Sequence, residues 1–114
     1  MALIISPDGW TRQVQPRNGR NFQLDELQAV VQGYIELVHL PDNRIMVINE
    51  QGKVEGLPRN EKATALADLP TPQERKKAVE DARRRGVPVF LAFDPNEEDY
   101  IAGTVLVCEQ HEVQ

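Results

Sequence analysis

The sequence predicts an α+β fold, a mainly antiparallel sheet of about five to seven strands with two or three short helices. Three observations predict it. The longest apolar runs, Val87–Phe93 and Thr104–Cys108, have the length of strands. Tyr34–Leu40 and Ile45–Asn49, joined across Pro41-Asp42-Asn43, read as a hairpin. Helical spacing and capping residues are confined to short stretches that do not alternate regularly with strands, so the helices are not crossovers of a parallel sheet.

The elements follow in order. Leu3-Ile4-Ile5 reads as a strand, Ser6-Pro7-Asp8-Gly9 as a turn, and Trp10–Val14 as the returning strand. Pro16-Arg17-Asn18-Gly19 makes a loop. Leu24, Leu27, Val30 and Val31 form a helical stripe, which predicts a helix over 24–32 with Gly33 at its C′ position. After the hairpin, Gly52 suits a turn, and Lys53–Leu57 reads as a weak third strand of a meander, stopped by Pro58. Asn60 is placed to cap a short helix reaching Ala67, because its side-chain oxygen can accept a free amide. Thr71, Pro72 and Glu74 stand at N-cap, N1 and N3 of a further helix over 72–85, ended by Gly86. Val87–Phe93 and Ile101–Val107 complete the strands, and Glu109–Gln114 reads as a polar tail.

Composition narrows the function. The chain has 114 residues, with 13 Lys and Arg against 18 Asp and Glu, a net charge of −5. Forty per cent of residues are apolar and 27% charged, as in ordinary globular domains. Residues 1–114 are read as a single domain. No run reaches the roughly 18 apolar residues of a membrane span. Met1–Gly9 carries no basic leader and breaks at Pro7, so a secretory signal is not expected there. The lone cysteine, Cys108, cannot bridge within the chain or build a multi-thiolate metal site. A cytoplasmic protein without metal or cofactor is the expectation.

Catalytic patterns are sparse. His39 alternates with apolar strand residues and His111 lies in the tail. Ser6 is the sole serine, and Cys108 ends an apolar strand, where it reads as a small buried side chain. Asp94, Glu97, Glu98 and Asp99 offer carboxylates but lack the ligand spacing and glycine of a calcium loop. Gly52 and Gly56 are turn glycines without the Gly-Lys-Ser/Thr of a phosphate loop, although free turn amides can cradle an anion. Arg75-Lys76-Lys77 and Arg83-Arg84-Arg85 are the densest cations. Glu74, Glu80 and Asp81 interleave them, stacking aromatics are few and the net charge is negative, so they read as a solvated face and not a nucleic-acid stripe. Glu36 is more telling. It stands mid-strand among apolar neighbours, either facing water or anchored in a pocket, where burial costs several kcal/mol unless paired. Asn49, Glu50, Asn60 and Thr64 follow the hairpin strands and could converge on it. Each also has a local use: Asn49 closing a turn, Asn60 capping a helix.

A set of linked runs carries a family resemblance. Leu24–Gly33 continues into Tyr34-Ile35-Glu36. Ile48-Asn49-Glu50 precedes Gly52-Lys53, then Gly56-Leu57-Pro58, Asn60 and Ala63-Thr64. Ile101-Ala102-Gly103-Thr104 closes the set. Together these resemble a family of small proteins from bacteria, phages and plasmids that is known as a domain of unknown function. The resemblance covers most of 1–66 and 100–107. Residues 70–99 depart from its spacing and look like an added helix and strand. What the resemblance implies is a mobile-element setting, in which small accessory proteins block host defences by gripping a host protein or by sequestering a nucleotide signal.

Three functions are weighed. The first is a non-catalytic binding protein that sequesters a small anionic ligand of nucleotide type, using Glu36, Asn49, Glu50, Lys53, Asn60 and Thr64, with Arg59 or Lys62 adding charge. Such a protein is expected to form a homo-oligomer around its ligand. The second is a module that inhibits or adapts a host protein through a sheet edge or the 71–86 helix, with Arg83, Arg84 and Arg85 as its contact surface. The third is a small hydrolase using Glu36 or Glu50 as a base.

Overall fold

Four consecutive apolar residues, Val105–Cys108, are all buried, and a sheet is laid out on both sides of them. The computed structural model describes residues 2–69, 71–86 and 99–113. Within these the strands are β1 (Ala2–Ile5), β2 (Thr11–Val14), β3 (Ile35–His39), β4 (Ile45–Asn49) and β5 (Val105–Cys108). They form one five-stranded sheet in the order β2-β1-β5-β4-β3, with every neighbouring pair antiparallel. The helices are α1 (Leu24–Val31), α2 (Glu61–Ala67) and α3 (Pro72–Arg84). The α+β class, the antiparallel sheet and the helix count expected from the sequence are all present.

Register decides which residues share a face. Leu106 stands opposite Ile4 and Val47, and Val107 opposite Leu3 and Met46. One face therefore presents Ala2, Ile4, Ile45, Val47, Leu106 and Cys108 to Leu27 and Val31 of α1, with Phe22 closing the cluster. Ile5, Met46, Val105 and Val107 point the other way and are also buried. Burying each of these large side chains stabilises the fold by roughly 1.5–3 kcal/mol.

Several local expectations need correction. Lys53–Leu57 is not a strand; it is a series of turns closed by Glu55 N–Gln51 O at 2.9 Å, Gly56 N–Lys53 O at 3.2 Å and Leu57 N–Gly52 O at 2.9 Å. Gly56 takes φ +74°, and Val54 is 87% exposed, so no apolar alternation holds the segment extended. The third strand of the meander is β5, brought in from the far end of the chain. Ile101–Thr104 forms a loop ahead of β5, touching Arg59 by one bridge at Ala102. The supposed tail holds a 3₁₀ turn, Gln110–Val113, with Glu112 buried and its carbonyl accepting from Phe22 N.

The chain divides into two compact units, Met1–Asp68 with Tyr100–Gln114, and Leu69–Asp99. In the second, Thr71 caps α3 by accepting from Glu74 N at 3.2 Å, Pro72 stands in the first turn, and Gly86 (φ +75°) follows the end. The expected strand Val87–Phe93 and most of the acidic turn after it lie outside the described residues.

Gly33 is not the left-handed residue that ends α1; Gln32 takes that conformation, at φ 61°. What requires glycine at 33 is space. A Cβ there would stand 2.7 Å from Asn49 Nδ2, and that amide cannot retreat without releasing Val31 O, 3.1 Å away. Gly33→Ala is expected to lower stability by about 1–3 kcal/mol, measured as a lower urea midpoint; an unchanged midpoint would show that Asn49 yields freely.

Candidate functional site

The six residues singled out by sequence fall into different places. Asn60 is fully buried, and its polar atoms are engaged on every side. Nδ2 donates to Ile5 O at 3.0 Å and to Gly103 O at 2.9 Å, while Oδ1 accepts from Ala63 N at 3.1 Å and so caps α2. Thr64 Oγ1 donates to Asn60 O at 2.7 Å and accepts from Ile101 N at 2.9 Å. These two side chains lock α2 to the end of β1 and to the 101–104 loop.

Asn49 plays the same part at the end of β4, on the same rim of the sheet as the end of β1 and the start of β5. It is 4% exposed, donates to Val31 O, and accepts from Gln51 N at 2.8 Å. It thereby satisfies a carbonyl at the C-terminus of α1, where helical partners run out. Glu50 is exposed, and its amide donates to Tyr34 O at 2.9 Å. Glu36 is exposed on β3, opposite Ile48, so of the two readings open for it the solvent-facing one holds.

The cations gather on one ring. Lys53 Nζ stands 5.5 Å and Arg59 Cζ 5.4 Å from the centre of the Tyr100 ring, within the range of cation–π attraction. Arg59 also pairs with Glu61 at 2.8 Å. Lys62 Nζ donates to Gly9 O at 2.5 Å. In the other unit Arg83, Arg84 and Arg85 are exposed, and Arg84 lies 3.4 Å from Asp81 and 3.9 Å from Glu80.

A pocket of about 320 Å³ opens where α1, the start of β3 and the turns after β4 meet, lined by Gln28, Gly33, Tyr34, Asn49, Gln51 and Glu55. Tyr34 is 71% exposed. The side chains of Gln28, Tyr34, Gln51 and Glu55 make no hydrogen bond or ion pair among the described residues. Two carboxamides, a phenol and a carboxylate are thus left to water or to a ligand. The lining contains no basic residue, and the C-terminal end of α1 adds negative potential. Apart from Asn49, sequence reasoning missed these residues. The available signal was Tyr34, an aromatic next to a glycine within the most specific run; Gln28, Gln51 and Glu55 give none, because polar residues on a helix and in turns are ordinary.

Cys108 is 1% exposed, and burial, with Glu112 and Glu109 nearby, pushes its thiol up to about 12. Ser6 is buried and hydrogen-bonded to Asp8. Among the described residues no cluster of His, Cys, Asp and Glu could hold a metal, and no helix is long and apolar enough to cross a membrane.

A family model described as a domain of unknown function (DUF3846) matches residues 1–113. No curated protein and no solved structure matches the chain.

Asn60→Ala is expected to destabilise the protein by about 3–5 kcal/mol, because two buried carbonyls lose their donor and α2 its cap. Asn60→Asp keeps the cap but aims a carboxylate at Ile5 O and Gly103 O. That raises the folded-state pKa of the new group, so the loss is full at neutral pH and shrinks as the pH falls towards about 4. Urea titrations of both variants at neutral and acidic pH check this; an Asp variant that is equally stable at both would refute it. Cys108 is expected to react with a disulfide reagent at mildly alkaline pH only after the protein is unfolded, as followed by thiol absorbance with and without denaturant.

Proposed function

The chain belongs to the DUF3846 family, a domain of unknown function, and from the pocket at Tyr34 we propose that it is a non-catalytic binding protein that holds a small nucleotide-type ligand. The observation that carries this reading is the convergence on one concave site of Gln28, Tyr34, Gln51 and Glu55, whose side chains have no hydrogen-bond or ion-pair partner among the described residues. Pockets that fix a ligand combine a ring-binding surface with a few directed polar groups. The exposed Tyr34 ring supplies a face for stacking. The carboxamides and the Glu55 carboxylate suit the donor and acceptor edge of a base. The pocket lining itself repels phosphate. Lys53, on the turn between Gln51 and Glu55, stands with Arg59 at Tyr100, and there the phosphates find opposite charge.

Glu36 and Glu50, both exposed, remain outside this pocket lining, and Asn60 and Thr64 act as the frame that positions the turns. No bond of the ligand is broken. In a mobile-element setting, holding a nucleotide signal intact withdraws it from whatever host receptor reads it, which counteracts a defence without turnover.

The test mixes purified protein with cyclic and ADP-ribose-type nucleotides and follows the melting temperature. A ligand at 100 times its Kd adds about 2.7 kcal/mol of stability. Tyr34→Ala is expected to weaken binding by about 1–3 kcal/mol, the usual worth of one base stacked on an aromatic ring, with the unliganded melting temperature unchanged. Mass spectrometry of the mixture is expected to recover the ligand whole. No shift with any nucleotide, or steady conversion of one, would overturn the reading.

A further inference from the structure

The polar groups of the Tyr34 pocket favour one kind of ligand edge. Glu55 brings the only full charge in the lining, and an ionised carboxylate accepts hydrogen bonds without donating any. Gln28 stands in the last turn of α1, whose carbonyl end adds negative potential. Glu55 N donates to Gln51 O at 2.9 Å, an i to i+4 bond that keeps the Gln51 carboxamide one turn of chain from the carboxylate. Tyr34 O accepts from Glu50 N at 2.9 Å, which ties the ring-bearing residue to the start of the same turns. At about 320 Å³ the cavity is at the small end of the roughly 300–1,000 Å³ that ligand sites span. It takes one base beside the Tyr34 ring and leaves sugar and phosphates outside.

On the premise that a nucleotide is held here, as proposed above, we infer that its base is guanine. The two oxygens of a carboxylate are matched by two N–H groups side by side. Guanine presents such a pair, N1–H and the 2-amino group, on its Watson–Crick edge. Adenine sets the N1 lone pair beside its amino group, and cytosine the N3 lone pair beside its own, so each turns an acceptor towards one carboxylate oxygen. Uracil offers one N–H between two carbonyl oxygens. These mismatches bring like partial charges together in a site that already has a negative helix end. The O6 and N7 acceptors of guanine are left for the carboxamide donors of Gln28 and Gln51. The Tyr34 ring can cover the face of any base, so stacking contributes affinity and Glu55 contributes the choice.

Calorimetric titration with the 5′-monophosphates of guanosine, inosine, adenosine, cytidine and uridine tests this. Inosine differs from guanosine by the 2-amino group alone. Loss of one hydrogen bond to a charged group lowers affinity roughly ten- to hundredfold. Inosine monophosphate is expected to bind that much more weakly than guanosine monophosphate, and adenosine monophosphate more weakly still. Glu55→Gln is expected to reverse the order of guanosine and adenosine, because a carboxamide donates to adenine N1 while accepting from its amino group. The unliganded melting temperature should not change, since Glu55 is exposed and its side chain has no hydrogen-bond or ion-pair partner among the described residues. Adenosine monophosphate bound as tightly as guanosine monophosphate, or a Glu55→Gln variant that keeps the original order, would overturn the guanine assignment and leave nucleotide binding standing. Binding of none of the nucleotides, or tighter binding of agmatine, a guanidinium without a base, would overturn both.

Discussion

The Asn60 carboxamide is the junction on which the first unit depends. It has no exposed surface, and its bonds reach Ile5 at the end of β1, Gly103 before β5 and Ala63 in α2. Its own amide donates to Ile101 O at 2.8 Å. One side chain thus reaches 55 positions back along the chain and 43 forward. An amide is well suited to the task, since it offers two donors to carbonyls and an acceptor to a helix N-terminus at once. Hydrophobic burial drives the sheet together without choosing directions. Asn60 selects where α2 starts and where the loop before β5 must pass, and that loop carries Tyr100 to Lys53 and Arg59.

Asn49 repeats this logic on the same rim of the sheet, at the end of β4. With no side chain on Gly33 to block it, it reaches the last carbonyls of α1 and receives the amide of Gln51. The motif residues thus divide by what their polar atoms face. Asn49, Asn60 and Thr64 are satisfied inside the protein. The side chains of Gln28, Tyr34, Gln51 and Glu55 have no such partner among the described residues. A buried amide already bonded on all sides has little left to offer a ligand, whereas an open one exchanges water for ligand at small net loss.

Much of the fold was legible because it rests on local chemistry. The β3–β4 hairpin, the α1 stripe and the caps at Asn60 and Thr71 are each set by a few neighbouring residues, and they stand where the sequence placed them. The failures were non-local. Lys53–Leu57 looked extended only because nothing near it said that β5, from the other end of the chain, takes the place beside β4. Gly33 looked like a helix cap because the Asn49 amide that excludes a Cβ lies 16 residues away in sequence. At the site, Asn49 and Asn60 were singled out for being polar next to strands, a property shared by ligands and by internal struts. Only the hydrogen-bond partners tell these apart.

Electrostatics follows from the same arrangement. The pocket sits at the C-terminal end of α1, which has acidic residues in its first turn and no base in its last. Arg17 and Asp25, both exposed, and the half-buried Glu26 form a network at the opposite end, where the Arg17 guanidinium and nearby amides hold both carboxyls below their usual range. The helix therefore presents its negative end to the pocket with the Asn49 amide but no cationic side chain in its last turn, and Glu55 adds a carboxylate. Such a place draws N–H groups and turns away phosphate. The cations needed for an anion stand instead around Tyr100, on the segment that Asn60 anchors. The turn that carries Gln51, Lys53 and Glu55 thus sets a carboxylate on the pocket side and a cation at Tyr100 within a few residues of each other.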